Sequence, residues 1–488
     1  MNQINHFING KYVATGDEMD SSYSPLTGDP ICIFPIGRKE AVNLAAKAAD
    51  TAFPIWSQME PNERISIVSD FIEKLEPLFG EEGKKTEAKK AISNEVGKPF
   101  SEAEIEVMEC VEFSKYFCEE AKNFFSIKEL KLDREIWPTK QSFVHFVPEG
   151  PIAIIKPWNY PLEMIFWSLI PALLCGNTVI IKPSEKSPYV VNLIAKILAE
   201  SNFPKGTCNI LYGDSETGKI LVEHPSIKMV AFTGSSTAGA KISKVCGERN
   251  IRSSLELSGI DAAIVLEDAN LELVANGLTW GAFCNAGQVC VGIKRAFILK
   301  QVYESVKLAL IKRIEQIKPL SDVGPLIDSK QFLACQKYVE TMEINGAKII
   351  AQGSKVDCDL YYPPTLMEVI EPTDYLHNQE CFGPVIPITP VESIQEAIDL
   401  TKDSSFGLGA SIWTADPNIA LNLAKKLGVG MVWMNDVNIA FPEAPWGGVK
   451  KSGRGFELSG DVFREYTRPS HICLETSNET RRFWWYPY

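Results

Sequence analysis

Cys290 is the side chain with the clearest chemical prospects. It stands in NAGQVCVG, residues 285–292, after a Gly-Gln pair and before a small apolar run. A thiol is a strong nucleophile and a good leaving group, so a placed cysteine can form and release acyl compounds. Most cysteines are instead buried as small hydrophobes, and the chain has twelve. Cys284 has no supporting context and is read as core or pocket wall. The histidines, at 6, 145, 224, 377 and 471, lie away from Cys290. A papain-type Cys-His hydrolase is therefore disfavoured. No CxxC pair occurs, and no histidine stands at metal-ligand spacing from a cysteine, so no metal site is expected. Scattered thiols without a disulfide-dense region fit a cytoplasmic protein.

A second chemical prospect is GSSTAGAK, Gly234 to Lys241. It resembles a phosphate loop, but Ala240 stands where such a loop needs lysine, which disfavours a kinase or ATPase. No GxGxxG fingerprint is present. What remains is a strand, then TGSS, then a helix whose free N–H groups could hold a pyrophosphate. A plain strand-to-helix turn with a serine cap accounts for the same residues.

These residues need a scaffold, and the chain has the length for two or three domains. From about Val147, strands alternate with helices. GPIAIIKP, NTVIIKPSE, CNILYG and KMVAFTG read as strands. SPYVVNLIAKILAESN and TAGAKISKVCGE read as helices. This alternation predicts parallel βαβ units in a doubly wound α/β sheet, with ligands at the strand ends PWNYP, KPSE and TGSS. Lys39 to Phe125 reads as mostly helical, and Phe125 to Pro148 as two exposed strands. Past Gly259, AAIVLED, KRAFILK and VIPITP read as strands, and ESIQEAIDLTKD and PNIALNLAKKLG as helices. The net charge of −13 offers no electrostatic reason to bind nucleic acid or a membrane. The N-terminus carries no signal-peptide pattern. The apolar run Pro161 to Cys175 is short of a membrane span and contains Glu163, so it reads as a buried helix.

An ordered series of motifs resembles the aldehyde dehydrogenase superfamily, of the NAD(P)-dependent, hydrolysing, non-CoA-acylating kind. The series is PWNYP (157–161), GNTVIIKPSE (176–185), FTGSS (232–236), LELSG (255–259), NAGQVC (285–290), ECFGPV (380–385) and PWGGVKKSGRG (445–455). The resemblance implies a Rossmann-like NAD-binding domain over residues 1–124 and 147–256. It implies a second α/β catalytic domain over 257–455. A small β oligomerisation arm falls at 125–146, with 467–488 as arm and tail, in a homodimer or homotetramer.

The resemblance also assigns roles. Cys290 matches the nucleophile, Glu256 the general base, Asn159 the oxyanion-hole side chain and Glu457 a second, proton-relaying carboxylate. Lys182, Ser184 and Glu185 match residues at the adenosine ribose, and Gly234 and Ser235 the pyrophosphate contact. Glu380 and Phe382 match the pair that positions the nicotinamide ribose and ring, and Trp158 lies in the same cleft. Glu185 favours NAD over NADP, because a carboxylate binds both ribose hydroxyls and repels a 2′-phosphate.

The implied reaction adds Cys290 to a small-molecule aldehyde, transfers hydride to NAD, and hydrolyses the resulting thioester with water activated by Glu256. The thiol pKa is expected to be lowered by nearby N–H groups or the cofactor's positive ring. Glu256, between two leucines, sits where an apolar setting raises a carboxylate pKa.

Tyr160, Met164 and Trp167 match positions that line the aldehyde tunnel. Glu163 stands beside them where the family commonly has an apolar residue. It favours cationic aldehydes, with Trp167 adding cation–π contact, or points to solvent at the tunnel mouth. The sequence departs from the family in three places. Ser258 replaces a glycine near the nicotinamide, GFE replaces GRE at Glu457, and the chain ends in RRFWWYPY, which suits burial against a partner. Two other readings stand beside this one: a non-catalytic structural or binding relative, and a thiol esterase that works without NAD.

Overall fold

The computed structural model describes residues 2–79, 86–479, 482 and 485. The predicted apolar runs form the middle of an eight-stranded sheet. Its order is Gly453–Arg454, Arg252–Glu256, Met229–Thr233, Pro151–Ile155, Thr178–Lys182, Cys208–Ile210, His6–Ile8 and Lys11–Val13. From Arg252–Glu256 to Cys208–Ile210 the strands run parallel. The outer ones join antiparallel. Every residue of Pro151–Ile155, Thr178–Lys182 and Met229–Thr233 is buried. That is why they read as unbroken apolar runs: a parallel sheet is covered on both faces.

Strand order reverses between Pro151–Ile155 and Met229–Thr233. The chain continues from the first toward Thr178–Lys182 on one side, and from the second toward Arg252–Glu256 on the other. Such a switch point leaves a crevice beyond the carboxyl ends of the two strands. Asn159 follows the first strand and Ser235 the second.

Helix Glu163–Leu174 is buried at every residue, as expected of a helix that is apolar all round. Lys39 to Phe125 contains the helices Lys39–Ser57, Pro61–Phe79, Thr86–Val96 and Phe100–Phe124.

A second sheet has the order Lys348–Gln352, Thr365–Glu368, Val385–Val391, Ile293–Leu299, Asp261–Val265, Gly409–Trp413 and Met431–Met434. Only its edge strand Lys348–Gln352 runs antiparallel. Gly453–Arg454, expected in the second domain, returns to the first sheet and pairs with Arg252–Glu256. This return carries Glu457 back toward Glu256.

The expected strand pair is present as Lys128–Leu130, which is exposed, and Lys140–Pro148, which is half-buried with Thr467–Glu475 laid along it. Most of the RRFWWYPY tail lies outside the described residues. Within it, Arg482 Nε stands 3.1 Å from Glu475 Oε2 and Trp485 is exposed. Among the described residues no helix is long and apolar enough to cross a membrane. No group of three or more His, Cys, Asp or Glu residues there is placed to hold a metal ion.

Candidate active site

Cys290 lies between the 3-10 turn Cys284–Gly287 and strand Ile293–Leu299 and is half-buried. Asn285, Ala286 and Gly287 all take left-handed backbone, with φ of 48°, 54° and 71°. The fold brings Asn159 to this turn. Asn159 Nδ2 donates to the Gln288 carbonyl at 3.0 Å, and Asn285 Nδ2 donates to the Asn159 carbonyl at 3.1 Å. Burial pushes the Cys290 thiol up, and the carboxylates of Glu256, Asp261 and Glu380 push it further. The Val291 N–H pulls the other way and is outweighed. This corrects the expectation that neighbouring N–H groups lower the thiol, because burial first and three acidic side chains after it outweigh the one N–H.

Glu256 ends strand Arg252–Glu256 and is 4% exposed. No side chain hydrogen-bonds its carboxylate, and the Gly448 N–H is the backbone donor that faces it. Burial, then the Glu457 carboxylate, hold it well above the ordinary carboxylate range, while Lys156 draws it down. Glu457 is 2% exposed rather than a surface charge. It pairs with the Lys156 ammonium and accepts from Ser168 Oγ at 2.7 Å. Lys156 Nζ also donates to Thr233 Oγ1 at 2.8 Å. One lysine thus faces two buried glutamates.

Beyond the switch point lies a cleft of about 1030 Å³, lined among others by Lys182, Ser184, Glu185, Gly234, Ser235 and Thr237. Five residues expected at the cofactor's adenosine and pyrophosphate therefore meet in one cavity. Lys182 is buried, donates to the Pro183 carbonyl at 2.9 Å, and stands 3.8 Å from Glu185. It is not half of a solvated surface pair. Ser235 caps helix Ser236–Glu248, accepting from the Ala238 N–H at 3.3 Å. A Cβ on Gly234 would meet the Phe232 ring at 2.6 Å.

Trp158 and Phe382 meet edge to face, 5.7 Å between ring centres. Burial raises Glu380, while the Lys294 charge, the Ser258 hydroxyl and the Gly259 N–H draw it down. Ser258, the residue that departs from the usual glycine, therefore faces a carboxylate rather than open space.

The sequence model of the aldehyde dehydrogenase family matches residues 12–472. The chain belongs to that family. It is 34% identical over 481 residues to phenylacetaldehyde dehydrogenase of Pseudomonas fluorescens, covering 96% of this chain and 95% of that protein. It is 32% identical to human retinaldehyde dehydrogenase 3, covering 97% and 93%. Lactaldehyde dehydrogenase from Escherichia coli superposes with a TM-score of 0.92 at 30% identity, covering 97% and 99%. The NAD+ complex of an aldehyde dehydrogenase from Bacillus cereus does so with a TM-score of 0.92 at 31% identity, covering 98% and 97%. The chain is thus an aldehyde dehydrogenase, an enzyme that oxidises small-molecule aldehydes.

For an aldehyde dehydrogenase the remaining question is the wall that receives the aldehyde. Trp167 stacks on Phe113 at 6.1 Å and meets Trp446 edge-on at 5.2 Å, and Trp446 meets Trp433 at 6.0 Å. Met164 is buried on the same helix. Glu163 is 3% exposed, so the expectation of a solvent-facing carboxyl is corrected. It forms a carboxyl pair with Glu109. Burial and the Glu109 charge raise Glu163 well above its ordinary value. One helical turn separates Glu163 from Trp167 and Glu109 from Phe113, which sets an acid tier beside an aromatic tier. The face of Tyr160 already carries a cation: Lys98 Nζ stands 3.3 Å from its ring centre.

Four residues of this region were not expected from the sequence: Lys156, Ser168, Asn285 and Gln288. Lys156 sits inside the apolar run GPIAIIKP. A buried lysine there is a signal that a buried carboxylate must face it.

Proposed function

We propose that the protein oxidises an aldehyde to the carboxylic acid with NAD+ through a covalent bond to Cys290. The single observation that supports this most is the convergence of Asn159, Cys290 and the buried carboxylate of Glu256 beside the cleft containing Lys182, Glu185 and Ser235. Cys290 Sγ bonds to the carbonyl carbon, and the carbonyl oxygen becomes an oxyanion facing the Asn159 amide and the N–H at Cys290. NAD+ bound in the cleft supplies the hydride acceptor and a positive charge that favours the thiolate. As the oxyanion re-forms the C=O bond, the C–H bond breaks and its hydride would leave to that acceptor, so a thioester remains on Cys290. Glu256 takes a proton from water, water attacks the thioester carbon, and the thiolate leaves. A buried carboxylate that no side chain bonds suits that role, because its raised pKa makes it a stronger base. Glu457, beside Glu256 and tied to Lys156, is placed to pass the proton on. The aldehyde panel below, followed by NADH absorbance, tests the reaction; no NADH from folded protein with any member would sink it.

Glu185 and Lys182 support a preference for NAD over NADP. Glu185→Ala should raise the KM for NAD+ roughly tenfold, the scale of one charged hydrogen bond. It should also narrow the gap between NAD+ and NADP+. Steady-state kinetics with both cofactors check this, and unchanged values would remove Glu185 from the ribose site.

The substrate we infer is an apolar or aromatic aldehyde. Trp167, Trp446, Trp433 and Phe113 form an apolar aromatic cluster, Glu163 is buried beside Glu109 with its pKa raised, and Lys98 occupies the Tyr160 face. The relative from Pseudomonas fluorescens is named for phenylacetaldehyde. In a panel of phenylacetaldehyde, 4-aminobutyraldehyde and succinic semialdehyde, phenylacetaldehyde should lead in kcat/KM by tenfold or more, about 1.4 kcal/mol. A lead for the aminoaldehyde would restore the cationic reading. The three-stranded antiparallel sheet with its open edge supports a homo-oligomer, and twelve free thiols support a reducing, cytoplasmic setting.

A further inference from the structure

Helix Phe100–Phe124 opens with two buried glutamates one turn apart, Glu102 and Glu106. They grip two different loops. Glu106 Oε1 accepts from the Leu162 N–H at 2.9 Å and the Glu163 N–H at 3.5 Å. These donors open helix Glu163–Leu174, just after Asn159, and no side chain of that helix caps them. Glu102 Oε2 accepts from the Asn285 N–H at 2.7 Å. Asn285 begins the left-handed turn that leads to Cys290. Lys98 Nζ, 2.6 Å from Glu106 Oε2 and equally buried, supplies the counter-charge.

Three successive left-handed residues, two of them not glycine, persist only where the surroundings over-determine them. Here the Glu102 carboxylate holds the first N–H of the turn. The Asn285 amide then ties that turn to the Asn159 carbonyl at 3.1 Å and the Gln288 carbonyl at 3.3 Å. Asn159 in turn donates to Gln288 at 3.0 Å. The second Glu102 oxygen, Oε1, has no partner. A buried carboxylate left half-satisfied is a poor stabilising device, so its place is better explained by what its other oxygen holds.

We propose that Glu102 and Glu106 are positioning residues: one helix face clamps the Asn285 turn and the Asn159 loop at a fixed separation, and so sets the Asn159 amide relative to Cys290 Sγ. The proposal rests on the reading of Asn159 as oxyanion donor and Cys290 as nucleophile. The clamp touches neither substrate nor cofactor. It acts on the chemical step through Asn159.

The test is a double-mutant cycle on the purified full chain with phenylacetaldehyde and NAD+. Loss of an oxyanion donor costs about 100- to 1,000-fold in rate, and misplacing one should cost part of that. Glu102→Ala should lower kcat about 10- to 100-fold, with the KM for NAD+ changed less than about twofold. Glu102→Gln, whose amide oxygen can still accept from Asn285, should recover most of the loss. In an Asn159→Ala background, Glu102→Ala should cost less than about twofold more, because the donor it positions is gone. Should Glu102→Ala not fold, Glu102→Asp keeps the charge and shortens the reach. It should show the same split and the same dependence on Asn159.

Equal losses with and without Asn159 would overturn the clamp while leaving the oxyanion reading intact. So would an unchanged kcat in both Glu102 variants, or a raised KM for NAD+ alone. Wild-type activity in Asn159→Ala would overturn the oxyanion reading, and the clamp with it.

Discussion

Cys290→Ala should abolish NADH formation, by roughly 10⁴-fold or more, the scale on which loss of a covalent nucleophile acts. No other cysteine stands in for it. Cys284 is buried and its Sγ accepts from Asn438 Nδ2 at 3.5 Å, while burial pushes its thiol up to about 12. The variant should melt like the wild type, since it removes one sulfur from a half-buried site, and it should still bind NAD+ in the cleft. The measurement is NADH absorbance beside a thermal melt and a cofactor titration. Activity within tenfold of wild type would remove Cys290 from the mechanism. The same protein also tests the esterase reading. Ester hydrolysis without NAD that disappears with Cys290 is a side activity of the same thiol, and hydrolysis that survives it comes from elsewhere.

Glu256→Gln should separate the two halves of the reaction. One equivalent of NADH should appear in a burst, followed by a steady state slowed about 100- to 10,000-fold. The acyl group should then be found on Cys290 by mass spectrometry of the intact protein. A slowed reaction without a burst would place Glu256 before hydride transfer, and an unchanged steady state would remove it as the base.

The pH dependence follows from burial. Glu256 is held above its ordinary value by desolvation first and by Glu457 second. Its basic form therefore accumulates only as pH rises through that elevated pKa, and the hydrolytic limb of the wild-type profile should rise with it. The Gln variant should lose that limb. Stability should move the opposite way. The neutral carboxyl is the form the folded state prefers, so its contribution is full below the unfolded pKa and is lost as pH rises through the folded one. Glu256→Gln should consequently raise the melting temperature at alkaline pH, through about 1–3 kcal/mol of relieved burial.

Several elements were legible in the sequence because they depend on local pattern. Strands such as Pro151–Ile155 and Met229–Thr233 are short apolar runs ended by turn residues, and a parallel sheet buries both of their faces. Helix Pro417–Leu427 is bounded by the Asp416 cap and by left-handed Gly428. The ordered motifs named the family and the residues that now meet around Cys290 and in the cleft. Glu256 between two leucines pointed to a buried carboxylate, and it is one.

Side chains whose meaning depends on a distant partner were not legible. Lys98, Glu102 and Glu106 recur every fourth residue, a charged stripe that reads as a solvated helix face. The fold buries all three, because other loops bring backbone N–H groups and a tyrosine ring to them. Glu163 looked like a tunnel charge, but the fold buries it against Glu109 from another helix, which raises its pKa. Nothing local showed what Glu457 would face; the return of Gly453–Arg454 to the first sheet carried it to Lys156. Ionisation is set by the dielectric and the charges within a few ångströms, and those neighbours come from anywhere in the chain. Residue type and spacing thus determined the family and the candidate reacting groups, while tertiary packing alone decided how the ionisation of those groups is shifted.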